Sequence, residues 1–539
     1  MATLNAKPSS YILLKGGTLL IHGQNNRVVP RVADLLIQDD RIHSIEDHID
    51  PPEGAKIIDC QGAIVSPGFI DSHRHLWQSQ QKGLHADHGL AQYYASGNLA
   101  SSHYAPDDIF WGVLGSAMES VDSGTTTVVD HAHANYSSKH SNEAVRATIS
   151  SGIRSIFCYC VHPRIISWQP HINFDEDMFP SWIMETFRGL AASQPFGPNG
   201  RVKLGFALDA MFVTDEDLRE TLGEVRRLGA HLITCHDTRP GKSPAIPSAV
   251  SILHKNGLLG SDVLLSHANN ITKEERAHAE GSGTKFSSTP LSELQMGHGD
   301  PVCLLPNFFS MSSIGSDSNS ICTSYMPSHM AAALLDARSR KAREHSIPGM
   351  PPSIGPKVED AYNLGTIFGA QAIGLGNEIG SLAVGKKADI VVIDGRSPAM
   401  TSVAHRNPVA AVVLHSSVRE IQTVIIDGII RKENFSLKAV DVPRSITHDA
   451  DTSTGDSETV EWHDVVSALD RSRQNLDKIN KEKVDQELVR KELARSIIMA
   501  MPLRGPVWRR NLMLMVHRFA TWFANWRAKP SGDQGVATQ

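Results

Sequence analysis

Short apolar runs broken by turn residues dominate the start of the chain. Residues 12–14, 18–22, 34–37 and 41–45 read as strands of a small β layer. A second group of the same kind lies far downstream, at 388–393 after the Gly385-Lys386-Lys387 turn, at 409–414, and at 421–426 before Asp427-Gly428. The two groups are suited to pair across the intervening chain into one sheet domain. Between them, apolar runs alternate with helical stretches, the pattern of repeated βα units around a parallel sheet. Runs at 68–71, 126–130, 155–159, 202–207, 232–235, 263–266, 285–288 and 308–315 make eight, the number that closes a barrel. The expected fold is therefore α/β, a (β/α)8 TIM-type barrel with a small composite β-sandwich built from its N- and C-terminal flanks. The expected boundaries are 10–66 and 376–440 for the two parts of the sandwich, 67–375 for the barrel, and 441–539 for a linker and helical extension.

The extension has its own pattern. Residues 449–457 (DADTSTGDS) form a polar linker, and 461–496 read as a charge-rich helical stretch. Residues 507–527 place Trp508, Leu512, Met515, Val516, Phe519, Phe523 and Trp526 at helical spacing beside Arg509, Arg510, Arg518 and Arg527, an amphipathic basic helix. Most such stripes are covered by protein, so packing on the barrel or on a second subunit ranks ahead of weak contact with a membrane surface.

Composition narrows the functional classes. A 539-residue chain with 41% hydrophobic and 20% charged residues and a net charge of −6 is an ordinary globular chain without the basic surplus of a nucleic-acid binder. Cys60, Cys158, Cys160, Cys235, Cys303 and Cys322 sit mostly in apolar runs and read as reduced. The Cys158-x-Cys160 pair lacks a second pair at zinc spacing and reads as core. The start of the sequence lacks the charged and continuous apolar stretches of a signal peptide, which makes cytoplasmic localisation the expectation.

In a parallel barrel the side chains at the C-terminal strand ends share one mouth, so chemistry shows as polar residues terminating apolar runs. Gly68-Phe69-Ile70-Asp71-Ser72-His73-Arg74-His75 ends in H-x-H, and the two-residue strand period turns both imidazoles to one side. Later runs end at His236, His267 and Asp317. Three such histidines with the carboxylate suit zinc, with iron or manganese as alternatives. His131-Ala132-His133, after Thr127-Val128-Val129-Asp130, is a second H-x-H that geometry alone makes an equal claimant.

Pro67 to His75 resembles the first-strand signature of the amidohydrolase superfamily, and Ser123-Gly124-Thr125-Thr126-Thr127-Val128-Val129-Asp130 resembles the second strand of its chlorohydrolase and cytosine/guanine deaminase branch. Ser266-His267-Ala268, Ser288-Thr289-Pro290 with Glu293, Gly315-Ser316-Asp317, and the run from Gly376 to Ile390 extend the resemblance over roughly residues 15–432. The resemblance implies one divalent metal, held by His73, His75, His236 and Asp317, because strand four ends at Ala207-Leu208-Asp209 without the lysine that binuclear relatives carboxylate. It also implies that Asp317 and His267 are catalytic, that Gln78, Trp77 and Glu293 contact a small-molecule substrate with His131 and His133 nearby, and that the protein is a homo-oligomer.

One position departs from the branch. Its deaminases carry a proton-shuttling glutamate three residues after the strand-five histidine, where this chain has Arg239, and a guanidinium cannot accept a proton. Either Asp237 or Glu293 substitutes, or Arg239 anchors an anionic group on a substrate that is not nucleobase-like; pairing of guanidinium with carboxylate favours the latter. The expected activity is hydrolysis of a non-peptide C–N bond in an amide, cyclic amide or amidine. The alternatives are a catalytically silent scaffold relative and a decarboxylase or isomerase on the same fold.

Overall fold

The computed structural model describes residues 10–168, 173–209, 213–238, 247–345, 347, 350–444, 446 and 457–483. Eight parallel strands form one sheet in sequence order: β1 (Phe69–Arg74), β2 (Thr125–Ala132), β3 (Arg154–Val161), β4 (Val202–Leu208), β5 (Ile233–Thr238), β6 (Val263–Asn269), β7 (Lys285–Ser288) and β8 (Ser312–Ile314). The ring closes just past β8, where the amide of Asp317 donates to the carbonyl of His73 (2.8 Å) and the amide of His75 donates to the carbonyl of Asp317 (2.9 Å). The fold is a TIM-type barrel. Inside it, Ile70, Val129, Ile156, Cys158, Ala207 and Leu264 pack on one another, with Ile373 and Ile379 joining the cluster. Cys158 is thus a core residue, and all six cysteines are free.

The flanks meet as expected. A nine-stranded sheet joins Tyr11–His22, Val28–Gln38, Arg41–Glu46, Lys56–Asp59 and Ile64–Pro67 to Ile390–Ile393, Ile421–Ile426, Ile429–Glu433 and Ser436–Leu437. The junction is antiparallel, with Ile64 opposite Ile393 and Pro67 opposite Ile390. Strand alternation explains the unbroken apolar run here: Ile390 and Val392 face the sheet domain's own core, whereas Val391 and Ile393 pack with the barrel's outer helices. Residues 12–14 and 18–22 are one strand, kinked by a register irregularity between Leu14 and Gly17.

Two expected strands differ. Residues 409–414 are helical, within Pro408–Ala410 and Ala411–His415. The Asn407 side chain caps this turn by accepting from the Ala410 amide (3.0 Å), and Pro408 occupies the first helical position, a start signal that outweighs the β-branched composition. The run at 308–315 opens as a 3-10 turn, Phe309–Met311, and extends only at β8. Within the extension, Trp462–Lys483 is a helix, as the charge pattern predicts. Most of the 449–457 linker, the 507–527 amphipathic stretch and Arg239 lie outside the described residues. No helix among the described residues is long and apolar enough to cross a membrane.

Candidate metal centre and active site

The residues at the β1 terminus splay in two directions. Arg74 turns outward, buried, to donate to Ser116 and Ser324, while His73 and His75 on either side converge on the barrel axis with His236 from β5 and Asp317 from beyond β8. The register between β1 and β2 is irregular from Asp71 to Arg74, which accommodates this turn. One ligand atom from each of His73, His75, His236 and Asp317 lies within 4.8 Å of the other three. Asp317 Oδ1 stands 3.2 Å from His75 Nε2 and 3.6 Å from His73 Nε2, and His236 Nε2 stands 3.3 Å from His75 Nε2.

The far side of each ring is tied down. His75 Nδ1 donates to the carbonyl of His131 (2.8 Å), which fixes the proton there and leaves Nε2 as a lone pair facing inward. His236 Nδ1 faces Asp209 Oδ1 at 2.7 Å, and His73 Nδ1 faces the Ser266 hydroxyl at 2.7 Å. His73 Nε2 is buried without a hydrogen-bond partner. An orphaned imidazole nitrogen among two more imidazoles and a carboxylate is a donor set that fits a divalent cation of borderline hardness.

Electrostatics follow from burial and neighbours. Burial alone would raise the Asp317 carboxyl, but the adjacent imidazoles of His73, His75 and His267 hold it well below the usual range. Burial pushes His73 well down. Burial also pushes on His236, yet the Asp209 carboxylate more than offsets it and the net shift is upward. His267 falls to about 4 through burial, and Glu293, fully enclosed, rises to about 8 for the same reason.

The other expected contacts gather at the same mouth. His267 Nδ1 lies 3.0 Å from Thr289 Oγ1 and 3.5 Å from Glu293 Oε1. Gln78 and Trp77 belong to a buried 3-10 turn, Leu76–Gln81, immediately after the histidine pair. Gln78 donates to the Tyr93 hydroxyl (2.5 Å), and Trp77 donates to His133 Nδ1 (3.1 Å). The His133 ring leans on His75 at 4.1 Å between centroids. The competing pair is divided: His131 turns to Asp209 and Cys160, forming a second cluster, whereas His133 stacks on the first. Asp237 accepts from the Ala249 amide (3.3 Å), at the start of the helix Ala249–Lys255.

Two participants escaped the sequence reading. Asp209, at the end of β4, joins His236 to His131 (3.2 Å), and His298 meets His267 edge-on at 4.8 Å. Asp209 carries the same signal as Asp317, a carboxylate closing an apolar run, but the sequence does not show that its partners are imidazoles from other strands. His298 sits in a loop, where no strand period marks it.

Comparison with known proteins settles the lineage. The model of the Amidohydrolase family matches residues 64–169 and 201–430. The chain belongs to the amidohydrolase family. It is, with that family, a hydrolase of carbon–nitrogen bonds. Among curated relatives of this amidohydrolase, a 5-methylthioadenosine/S-adenosylhomocysteine deaminase from Acetivibrio thermocellus is 28% identical over 80% of this chain and 96% of its own. A 5'-deoxyadenosine deaminase from Methanobrevibacter smithii is 27% identical over 76% and 90%. Among solved structures, an adenosine deaminase from Xanthomonas campestris with bound zinc superposes with a TM-score of 0.69 at 16% identity, covering 87% of this chain and 98% of that one. An atrazine chlorohydrolase from Arthrobacter aurescens TC1 complexed with zinc gives 0.67 at 18% identity, covering 86% and 100%.

Proposed function

We propose that this amidohydrolase deaminates an amino-substituted purine nucleoside, with one zinc ion held by His73, His75, His236 and Asp317, in a cytoplasmic setting consistent with its free thiols. The observation that carries this reading is Glu293, a fully enclosed carboxylic acid raised to about 8 and abutting His267. Replacing an amine by water at an aromatic carbon requires a proton on the ring nitrogen and a second on the departing amine, so a group that holds a proton near neutral pH is needed. Arg239 cannot supply it, and Asp237 faces a helix. Glu293 supplies it in their place.

A divalent ion bound in the cluster supplies a Lewis acid that eases proton loss from water. The protein's own groups do the rest. Asp317 accepts a proton from the attacking water, its Oδ1 set 3.2 Å from His75 Nε2 and 3.6 Å from His73 Nε2. His267 donates toward the ring nitrogen and is resupplied through Nδ1 from Glu293. Asp317 then passes its proton to the leaving amine, the C–N bond breaks to release ammonia, and the proton left on the new hydroxyl returns through His267 to Glu293 as the carbonyl forms, so both acids end as they began. Trp77 and Gln78 border the substrate with His133 behind them.

The test is ammonia release from metal-replete protein given 5'-methylthioadenosine, S-adenosylhomocysteine, an aminotriazine and a cyclic amide. Turnover of the two adenine nucleosides supports the reading, and opening of the cyclic amide with no ammonia from any amino-heterocycle overturns it. A second reading keeps Arg239 as an anchor for an anionic substituent, through its pairing with carboxylate. Preference for S-adenosylhomocysteine, which carries a carboxylate, over 5'-methylthioadenosine favours that anchor.

A further inference from the structure

The helix Trp462–Lys483 follows the last residue matched to the family, 430, and lies against the side of the mouth. Its stripe of Val465, Ala468, Leu469, Ser472 and Leu476 recurs at helical spacing and is buried or half-buried. The surface it covers is the barrel helix Pro106–Asp122 and the 3-10 turn Leu76–Gln81.

Two glycines allow the approach. A Cβ at Gly112 would stand 2.5 Å from the Trp77 carbonyl oxygen, and one at Gly115 would stand 2.7 Å from Leu469 Cδ1. The barrel helix is thereby pressed between the turn and the C-terminal helix. A polar knot locks the three together: Ser472 donates to Asp108 Oδ1 (2.6 Å), while Gln80 donates to Ser472 Oγ (3.0 Å) and to the Asp108 carbonyl (2.7 Å). Ser472, Gln80 and Asp108 are each 9% exposed or less. Two turns further on, Asn480 Oδ1 meets His103 Nδ1 (2.9 Å) at the end of the segment whose Asn98 reaches His133 (3.3 Å).

We propose that this C-terminal helix is a positioning element for the substrate-facing turn, with Ser472 as its key residue: it holds Gln80, and through Gln80 the two residues that precede Ser79, in register with the histidine cluster. The inference rests on the reading that Trp77 and Gln78 face the substrate. A buried hydrogen bond to a carboxylate is strong and directional, so losing it frees the turn without touching the metal ligands. Specificity for the substrate therefore depends in part on residues outside the shared family region.

The experiment compares full-length, metal-replete wild type with Ser472→Ala and with Asp470→Ala, a change on the exposed face of the same helix, by amide hydrogen exchange and by steady-state kinetics. In Ser472→Ala, exchange is expected to accelerate in the 76–81 segment while the strand amides keep their protection, and KM to rise about fivefold with kcat within about twofold, the signature of lost binding without lost chemistry. Asp470→Ala is expected to match wild type in both. Unchanged exchange at 76–81, or equal acceleration throughout the barrel, overturns the inference, and exchange reports this whatever substrate the enzyme proves to use. An equal fall in kcat and kcat/KM with KM unchanged also overturns it.

Discussion

Two groups of charge are buried at opposite ends of the barrel strands, and they obey different rules. At the N-terminal end of β3, Arg154 grips Asp389 through Nε (2.7 Å) and Nη2 (3.0 Å) and reaches Asp427 (3.0 Å), while Lys387 also pairs with Asp427 (3.2 Å). Asp427 further accepts from Asn199, and the Asp427 amide donates to Asp389. Cation answers anion there, and the assembly ties barrel to sheet. At the C-terminal ends, imidazoles crowd one another, His73 Nε2 has no partner, and Glu293 Oε2 is buried and unpaired. His267, Ala268 and Asp317 adopt left-handed backbone angles of 70°, 53° and 65°, a conformation that costs non-glycine residues energy and collects at working sites. In the first cluster Arg154, Lys387, Asp389 and Asp427 answer one another; the second is organised around something it must receive.

Substitutions that tell the two apart should separate activity from stability. On the proposed mechanism Asp317→Ala removes a ligand and the proton acceptor together, so activity is expected to fall about 10³- to 10⁴-fold with the urea midpoint nearly unchanged. Comparable loss of folding and activity would place Asp317 in the structural class. Arg154→Met leaves two carboxylates buried against one another and should cost about 3–5 kcal/mol of stability, read from urea unfolding, while turnover per folded molecule persists. Asp209→Ala unties His236 and is expected to weaken metal affinity about 10- to 100-fold, measured by competition with a chromogenic chelator; unaltered affinity would make Asp209 a bystander.

The smallest effect is a pH dependence at Glu293. Its pKa in the folded protein is raised by burial to about 8, above the unfolded value of 4.5. The neutral acid is thus favoured in the folded state, and the associated stability is whole below about pH 4.5 and lost as pH climbs through about 8. Glu293→Gln, permanently neutral, should match wild type in melting temperature at pH 5 and exceed it increasingly toward pH 8.5. A gap that does not vary with pH would mean that the carboxyl is not neutral in the native protein.

The sequence exposed the barrel because eight apolar runs alternate with helical stretches, and it exposed the composite sheet because two groups of short strands flank that series. It did not expose the helical state of residues 409–414, since β-branched residues there are governed by the cap at Asn407 and not by their own preference. The ligand cluster was legible only as an ordered series, for spacing could not separate His73 and His75 from His131 and His133. What separates them is three-dimensional: His131 turns toward Asp209 and Cys160. Asp209 and His298 were hidden for the same reason, as their partners come from other strands.

Asp317 closes the ring with its main chain and faces the cradle with its carboxylate, clasping His73 and His75 by both. A growing polypeptide therefore has no half-built catalytic centre: until the eighth strand docks beside the first, the cradle lacks the Asp317 carboxylate and the wall lacks its final stave. Completion of the architecture and competence for chemistry arrive in one step, so a chain truncated before that strand would be expected to lose both together.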